Sequence, residues 1–204
     1  MRCCAITLLA LSACAPPPAA ASNAASVAAA HELVGTPLGS LAGLQWLTAD
    51  GKAPDLAQNR LTLLRWWTVD CPFCRASLPD LSALAAEFAP RGLRLVAVFH
   101  PKGIDEFTDA ALRGYLQELA VDAVLARDDR WLALERLRAR GRLDEATSIS
   151  VLVDQQGIVR WVHKGPRLHR DGSGEFASAD ADFAALRACV DRLLPPSAGG
   201  KTNR

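Results

Sequence analysis

What this chain lacks first is charge of one sign. Its 23 lysines and arginines stand against 22 aspartates and glutamates, a net charge of +1, which removes the electrostatic footprint of a nucleic-acid-binding surface. The apolar stretch at the N-terminus, Cys3–Ala13, is too short to span a bilayer. Cys71 and Cys74 could form half a zinc site, yet no second Cys or His pair at ligand spacing follows them, so no metal is expected. What is present is apolar bulk: 50% of the 204 residues are hydrophobic, ample for the core of one domain of roughly 150 residues plus extensions.

Those extensions lie at the ends. Arg2 supplies a minimal positive region, and Leu11-Ser12-Ala13-Cys14 resembles the lipobox of bacterial lipoprotein signal peptides. The resemblance implies a signal peptide over residues 1–13, cleavage before Cys14 and lipidation of its thiol. An ordinary secretory signal cut slightly later is the alternative. Both place the protein outside the cytoplasm, where dithiols exchange with folding substrates. Ala15 is the kind of residue associated with outer-membrane sorting, so the expected location is a membrane-anchored periplasmic lipoprotein, with the outer membrane a candidate. Residues 14–35 are rich in Pro, Ala and Ser and read as a flexible tether; 36–196 form the expected domain and 197–204 a disordered tail.

The chemistry concentrates in Trp66-Trp67-Thr68-Val69-Asp70-Cys71-Pro72-Phe73-Cys74. Leu61-Thr62-Leu63-Leu64 before it reads as a buried strand. After it Leu78, Leu81, Ala85 and Phe88 recur at helical spacing until Pro90 and Gly92. Pro72 suits the first helical turn. Cys71 then lies at the helix N-terminus, where free N–H groups and the dipole favour a thiolate, with Cys74 sheltered one turn on. An exposed attacking sulfur backed by a resolving one is the design of a redox dithiol. A purely structural bridge this local would close little loop entropy and stabilise weakly. Trp66 and Trp67 alternate across the strand, one toward the core and one toward the dithiol, and Phe73 offers a partner an apolar contact. Cys189 sits in an apolar helical pattern and reads as a buried, inert thiol.

Along the rest of the chain the pattern predicts a strand over 41–47, a second buried strand at 93–99 completing a right-handed βαβ unit, and a helix over 104–119. A short strand at 123–126, a helix at 131–140, a hairpin from 148–153 and 158–162, and a last helix at 182–194 follow. His100 ends a strand on the edge that carries the cysteines, and His163 ends the strand running back to it, so either imidazole is a candidate proton relay.

This order, with Trp-Trp-Thr-x-Asp-Cys-Pro-Phe-Cys, then Val-Phe-His-Pro-Lys, then Thr-Ser-Ile-Ser-Val-Leu-Val-Asp, resembles the TlpA-like extracytoplasmic branch of the thioredoxin-like superfamily over residues 40–194. The resemblance implies an α/β thioredoxin-like fold, a central mixed sheet flanked by helices, with an N-terminal β extension. Two departures touch the chemistry. Family members carry a cis-proline beside the dithiol; here that position is Ser148, and no proline lies between Pro101 and Pro166. Ser148 is expected to line the substrate groove with Trp67, Pro72 and Phe73, and Ile149 to offer backbone hydrogen bonds. Six residues before Cys71 thioredoxins bury an acid, whereas this chain has Arg65. Facing the sulfurs, Arg65 would stabilise thiolate and make the couple more oxidising; pointing away, it would pair with a carboxylate or reach solvent.

The expected activity is extracytoplasmic thiol–disulfide exchange with protein substrates and an unidentified redox partner. Cys71 attacks, Cys74 resolves, and no cofactor is required beyond their own disulfide. Two alternatives remain open. Thr68 stands three residues before Cys71 as in the peroxiredoxin motif, although Leu64 takes the place of its proline. A soft metal such as Cu(I) could also bind the two thiolates.

Overall fold

The computed structural model of the protein describes residues 32–103, 107–143 and 146–196. Six strands form one mixed sheet in the order β1-β4-β3-β2-β5-β6. These are β1 (Gln45–Trp46), β2 (Leu61–Trp67), β3 (Leu93–Phe99), β4 (Val124–Arg127), β5 (Ile149–Asp154) and β6 (Val159–Lys164). β2, β3 and β4 run parallel, while β1, β5 and β6 pair antiparallel to their neighbours. Four α-helices flank the sheet: α1 (Pro72–Phe88), α2 (Asp109–Glu118), α3 (Leu132–Gly141) and α4 (Ala177–Leu193).

β2 is buried along its whole length because it is the central strand with both faces covered. One face packs Leu64, Trp66, Val96, Val98 and Val151 against Ala133, Leu134 and Leu137 of α3. The other packs Leu61, Leu63, Leu95 and Leu152 against Leu81, Leu84 and Phe88 of α1 and Phe183 and Leu186 of α4. Near the ends of β2 and β3 that second face continues into Trp67, Phe99, Leu112 and Leu116, and into both cysteines. Each Leu or Phe so buried contributes about 1.5–3 kcal/mol. The period-2 alternation therefore sorts neighbours in β2 onto different faces: Trp66 into the α3 layer, Arg65 and Trp67 into the α1 layer.

Several boundaries differ from the sequence expectation. The strand expected over 41–47 shrinks to Gln45–Trp46, because Leu44 N–H bonds back to Leu41 C=O at 3.2 Å and Gly43 takes φ 102°, turning the chain before it reaches β4. The helix expected from residue 104 has its described N-terminus at Asp109, where the Thr108 hydroxyl accepts from Ala111 N–H at 3.1 Å; residues 104–106 lie outside the described part. The last helix starts at Ala177, five residues early.

Leu33, assigned to the tether, is 1% exposed and fills the space beside Gly141, where an added Cβ would sit 2.6 Å from Leu33 Cδ1. The expected signal peptide, Cys14, the expected tether up to residue 31 and the expected tail at 197–204 lie outside the described residues. Cys189 is buried in α4, as expected.

Candidate active site

The two free cysteines among the described residues are Cys71 and Cys74. β2 ends at Trp67, a turn carries Val69 and the exposed Asp70 past the sheet edge, and Pro72 opens α1 at its first position. Cys71 is the N-cap: its Sγ accepts the Cys74 backbone N–H at 3.1 Å, and its C=O takes the Arg75 N–H at 3.0 Å. Cys71 keeps 9% of its surface, whereas Cys74 keeps none. Any thiol or disulfide from outside therefore meets Cys71.

Arg65 faces the dithiol. Its guanidinium Nη2 lies 3.9 Å from Cys74 Sγ, and the residue is 0% exposed. The register explains the direction: Arg65 pairs with Ser150 and Ser150 with His163, so all three stand on the α1 face. Arg65 also donates to Ser150 Oγ (3.0 Å), Gly165 O (3.0 Å) and Pro166 O (2.6 Å), fixing the fork of the guanidinium. No carboxylate among the described residues forms an ion pair with it.

Ser148 reaches the same sulfur. Its hydroxyl sits 3.2 Å from Cys74 Sγ, and the chain there contains no cis peptide bond among the described residues. The hydroxyl is thus a hydrogen-bond donor to a thiolate where a proline ring would offer none.

The proton distribution follows from these contacts. Cys74 is pushed down to about 5, first by the hydrogen bond from the Cys71 thiol and then, against burial, by Arg65 and Ser148. The same hydrogen bond, with burial, pushes Cys71 up. The two sulfurs interact as a pair, and the Arg65 guanidinium 3.9 Å from Cys74 Sγ and the Ser148 hydroxyl 3.2 Å from it favour the negative charge on the Cys74 side. The sequence points to Cys71 as the acidified sulfur because of the helix N-terminus; the cation and hydroxyl gathered from β2 and the β5 entry move the charge one turn inward.

The other expected site residues separate. Trp67 is fully buried behind the cysteines, stacked on Tyr115 at 5.5 Å between ring centroids, so it supports the pair and presents no groove surface. Ile149 is likewise fully buried, on the α3 face. Pro72 is exposed and Phe73 half-buried beside Cys71. His100 belongs to the opposite side of the sheet, where its ring meets Trp131 edge-on at 4.7 Å. Burial lowers its pKa to about 4, so it stays neutral and contributes no relay to the dithiol. The strand alternation that sends Phe99 toward the cysteines sends His100 away. His163 does share the Arg65 row, but its Nε2 faces Asp182 at 3.2 Å, and burial lowers its pKa.

The packing of the strap that follows β6 onto the dithiol helix was not legible in the sequence. The Ser77 hydroxyl, in α1, lies 2.7 Å from Phe73 O and 2.9 Å from Pro166 O, and accepts Leu168 N–H at 3.0 Å. Asp80 binds Arg170 through side chain and backbone, at 2.7 Å for each shortest contact. The Arg167 guanidinium covers the Phe73 ring at 4.1 Å and the Phe176 ring at 4.7 Å. Residues 165–170 thus lie over the first turns of the dithiol helix. The only hint in the sequence was the density of Gly, Asp and Arg after Pro166.

No protein-family model matches the chain, and no curated protein matches it either. Solved structures do resemble it. A hypothetical protein from Sinorhizobium meliloti is 18% identical, with a TM-score of 0.56 over 78% of this chain and 85% of its own. A thioredoxin-like protein in its oxidised form is 19% identical, with a TM-score of 0.54 over 74% and 95%. A thiol:disulfide interchange protein from Bacteroides is 15% identical, with a TM-score of 0.50 over 80% and 94%. The chain has the thioredoxin-like fold, with a Cys-x-x-Cys pair at the N-terminus of its first helix.

Proposed function

We propose that the protein is an extracytoplasmic thiol–disulfide oxidoreductase acting on protein thiols and disulfides, with the Cys71–Cys74 disulfide as its redox group. The observation that carries this reading is a pair of free thiols at a helix N-terminus, with one sulfur accessible and the other enclosed by Arg65 and Ser148. The lipobox-like Leu11-Ser12-Ala13-Cys14 supports a lipid-anchored periplasmic location, and the Bacteroides interchange protein shares the fold.

In the reducing direction the Cys71 proton passes to Cys74, and the Cys71 thiolate attacks one sulfur of a substrate disulfide. A Cys71–substrate bond forms and the second substrate sulfur leaves as thiolate, taking the proton from Cys74. Arg65 and Ser148 hold the resulting Cys74 thiolate, which attacks Cys71 Sγ and expels the first substrate sulfur. The two electrons of the Cys71–Cys74 pair have then moved to the substrate, and the oxidising direction is the reverse. Where thioredoxins place a buried acid to accept a proton, this site relies on electrostatic stabilisation of the thiolate itself. Phe73, Phe176 and Arg167, beside the accessible sulfur, form the surface a partner would meet.

The test runs insulin reduction, peroxide consumption and Cu(I) retention in parallel on the purified protein. Disulfide exchange lost on Cys71→Ser is the expected result. Peroxide turnover or metal retention without exchange overturns the reading.

A further inference from the structure

Arg65 is a cation enclosed on every side. Its three hydrogen-bonded oxygens, from Ser150, Gly165 and Pro166, are neutral. Among the described residues the negative groups acting on it are the two cysteine sulfurs, Cys74 first. A buried charge with its partner in place is tolerated; one stripped of that partner is strongly destabilising. The partner here exists in only one redox state. When the Cys71–Cys74 bond forms, the thiolate charge disappears and the guanidinium keeps only carbonyl and hydroxyl dipoles.

We propose that Arg65 is a redox-dependent counter-ion that favours the reduced dithiol over the disulfide and so makes this pair a donor of disulfides to protein dithiols. The proposal rests on the oxidoreductase reading above and assigns it a direction. In the favoured reaction the substrate dithiol gives two electrons to the Cys71–Cys74 bond and two protons. One proton is retained between the two cysteines and the other is released. The substrate leaves as a disulfide. A couple becomes a stronger oxidant as its reduced form is stabilised. Little opposes this, because a bridge across two intervening residues closes a very short loop and gains little from restricting the unfolded chain. Ser148 acts in the same sense by donating to Cys74 Sγ at 3.2 Å. The other ionisable group near the cation is His163, whose Nε2 faces Asp182 at 3.2 Å.

The experiment equilibrates wild type, Arg65→Met and Arg65→Lys with glutathione buffers, and melts each protein fully reduced and fully oxidised. Wild type should melt higher when reduced than when oxidised. Arg65→Met should shift the glutathione equilibrium at least tenfold toward the disulfide, about 30 mV, and shrink the melting gap. Arg65→Lys should keep most of both effects. Wild type melting no higher when reduced, or an equilibrium unmoved in Arg65→Met, overturns the proposal; should the Met variant not fold, the wild-type comparison decides alone. Failure of the wild-type pair to exchange with glutathione at all overturns the oxidoreductase reading instead.

Discussion

Two fully buried charges sit on opposite faces of the same sheet, and they are handled in opposite ways. On the α3 face Asp128 is 0% exposed and accepts Trp66 Nε1–H at 3.2 Å, Ala133 N–H at 3.2 Å and Leu134 N–H at 2.8 Å. All three donors are permanent, and two are free N–H groups at the start of a helix whose dipole favours an anion. On the α1 face Arg65 has permanent acceptors but a conditional counter-charge. The first arrangement locks α3 to β2 whatever the dithiol does. The second ties a buried cation to the chemical state of a sulfur. A buried ion can therefore serve as structure when its partners are backbone dipoles, and as a redox sensor when its partner is a reactive group.

The largest expected effect separates the two faces by chemistry. Cys71→Ser should lower disulfide exchange with glutathione by at least a hundredfold, while Cys74→Ser should accumulate a mixed disulfide with substrate, visible by non-reducing electrophoresis. Asp128→Ala, on the other face, leaves three buried donors unmatched and should cost about 3 kcal/mol. Urea unfolding should show the same loss in the reduced and oxidised proteins, and glutathione equilibration should show an unchanged potential. An Asp128→Ala loss that differs between redox forms would erase the contrast drawn above.

Acid separates the faces next. His100 is buried neutral with its pKa lowered to about 4. The unfolded chain binds its proton first, so stability should fall as pH drops from the ordinary imidazole range, about 6.5, toward 4, equally in both redox forms. His100→Phe should flatten that decline. The Cys74 thiolate, lowered to about 5, works in the reduced form alone. Its contribution is present near the ordinary thiol range, about 8.5, and shrinks as pH falls toward 5. Above the thiol range it declines again, because Cys71 is raised and the folded pair keeps a proton that the unfolded chain releases. Melting temperatures of both redox forms between pH 4 and 9, given as round values about the imidazole and thiol ranges, would reveal one shared and one redox-specific slope.

Smaller effects belong to single hydrogen bonds. Ser148→Ala removes one donor to Cys74 and should weaken the thiolate by about 1 kcal/mol, a several-fold change read by thiol titration. Asp80→Ala breaks the ion pair with Arg170, whose side chain is 64% exposed, and should cost well under 1 kcal/mol. Faster proteolysis within the strap, with unchanged potential, would mark that contact as structural.

Much of this was legible in the residues. The βαβ unit around the cysteines followed from apolar runs and from Pro90 and Gly92, and β3 appears at its expected bounds. The location of Cys71 at a helix N-cap followed from Pro72. The environment of Cys74 was not legible. Whether Arg65 faces the sulfurs depends on the register of β2 against β5, and the strap that receives its other donors comes from a segment about a hundred residues later. His100 shows the limit from the other side: it ends a strand at the active edge, but one residue of alternation places its ring across the sheet.

The sequence by itself determined the elements and the reactive pair, because apolar periodicity, prolines, glycines and the Cys-x-x-Cys spacing act within one or two turns of chain. Tertiary structure alone decided where the charge of that pair rests. Proton position depends on groups within a few ångströms, and here those groups are Arg65, Ser148 and the Gly165–Pro166 carbonyls, brought together by three strands and a loop.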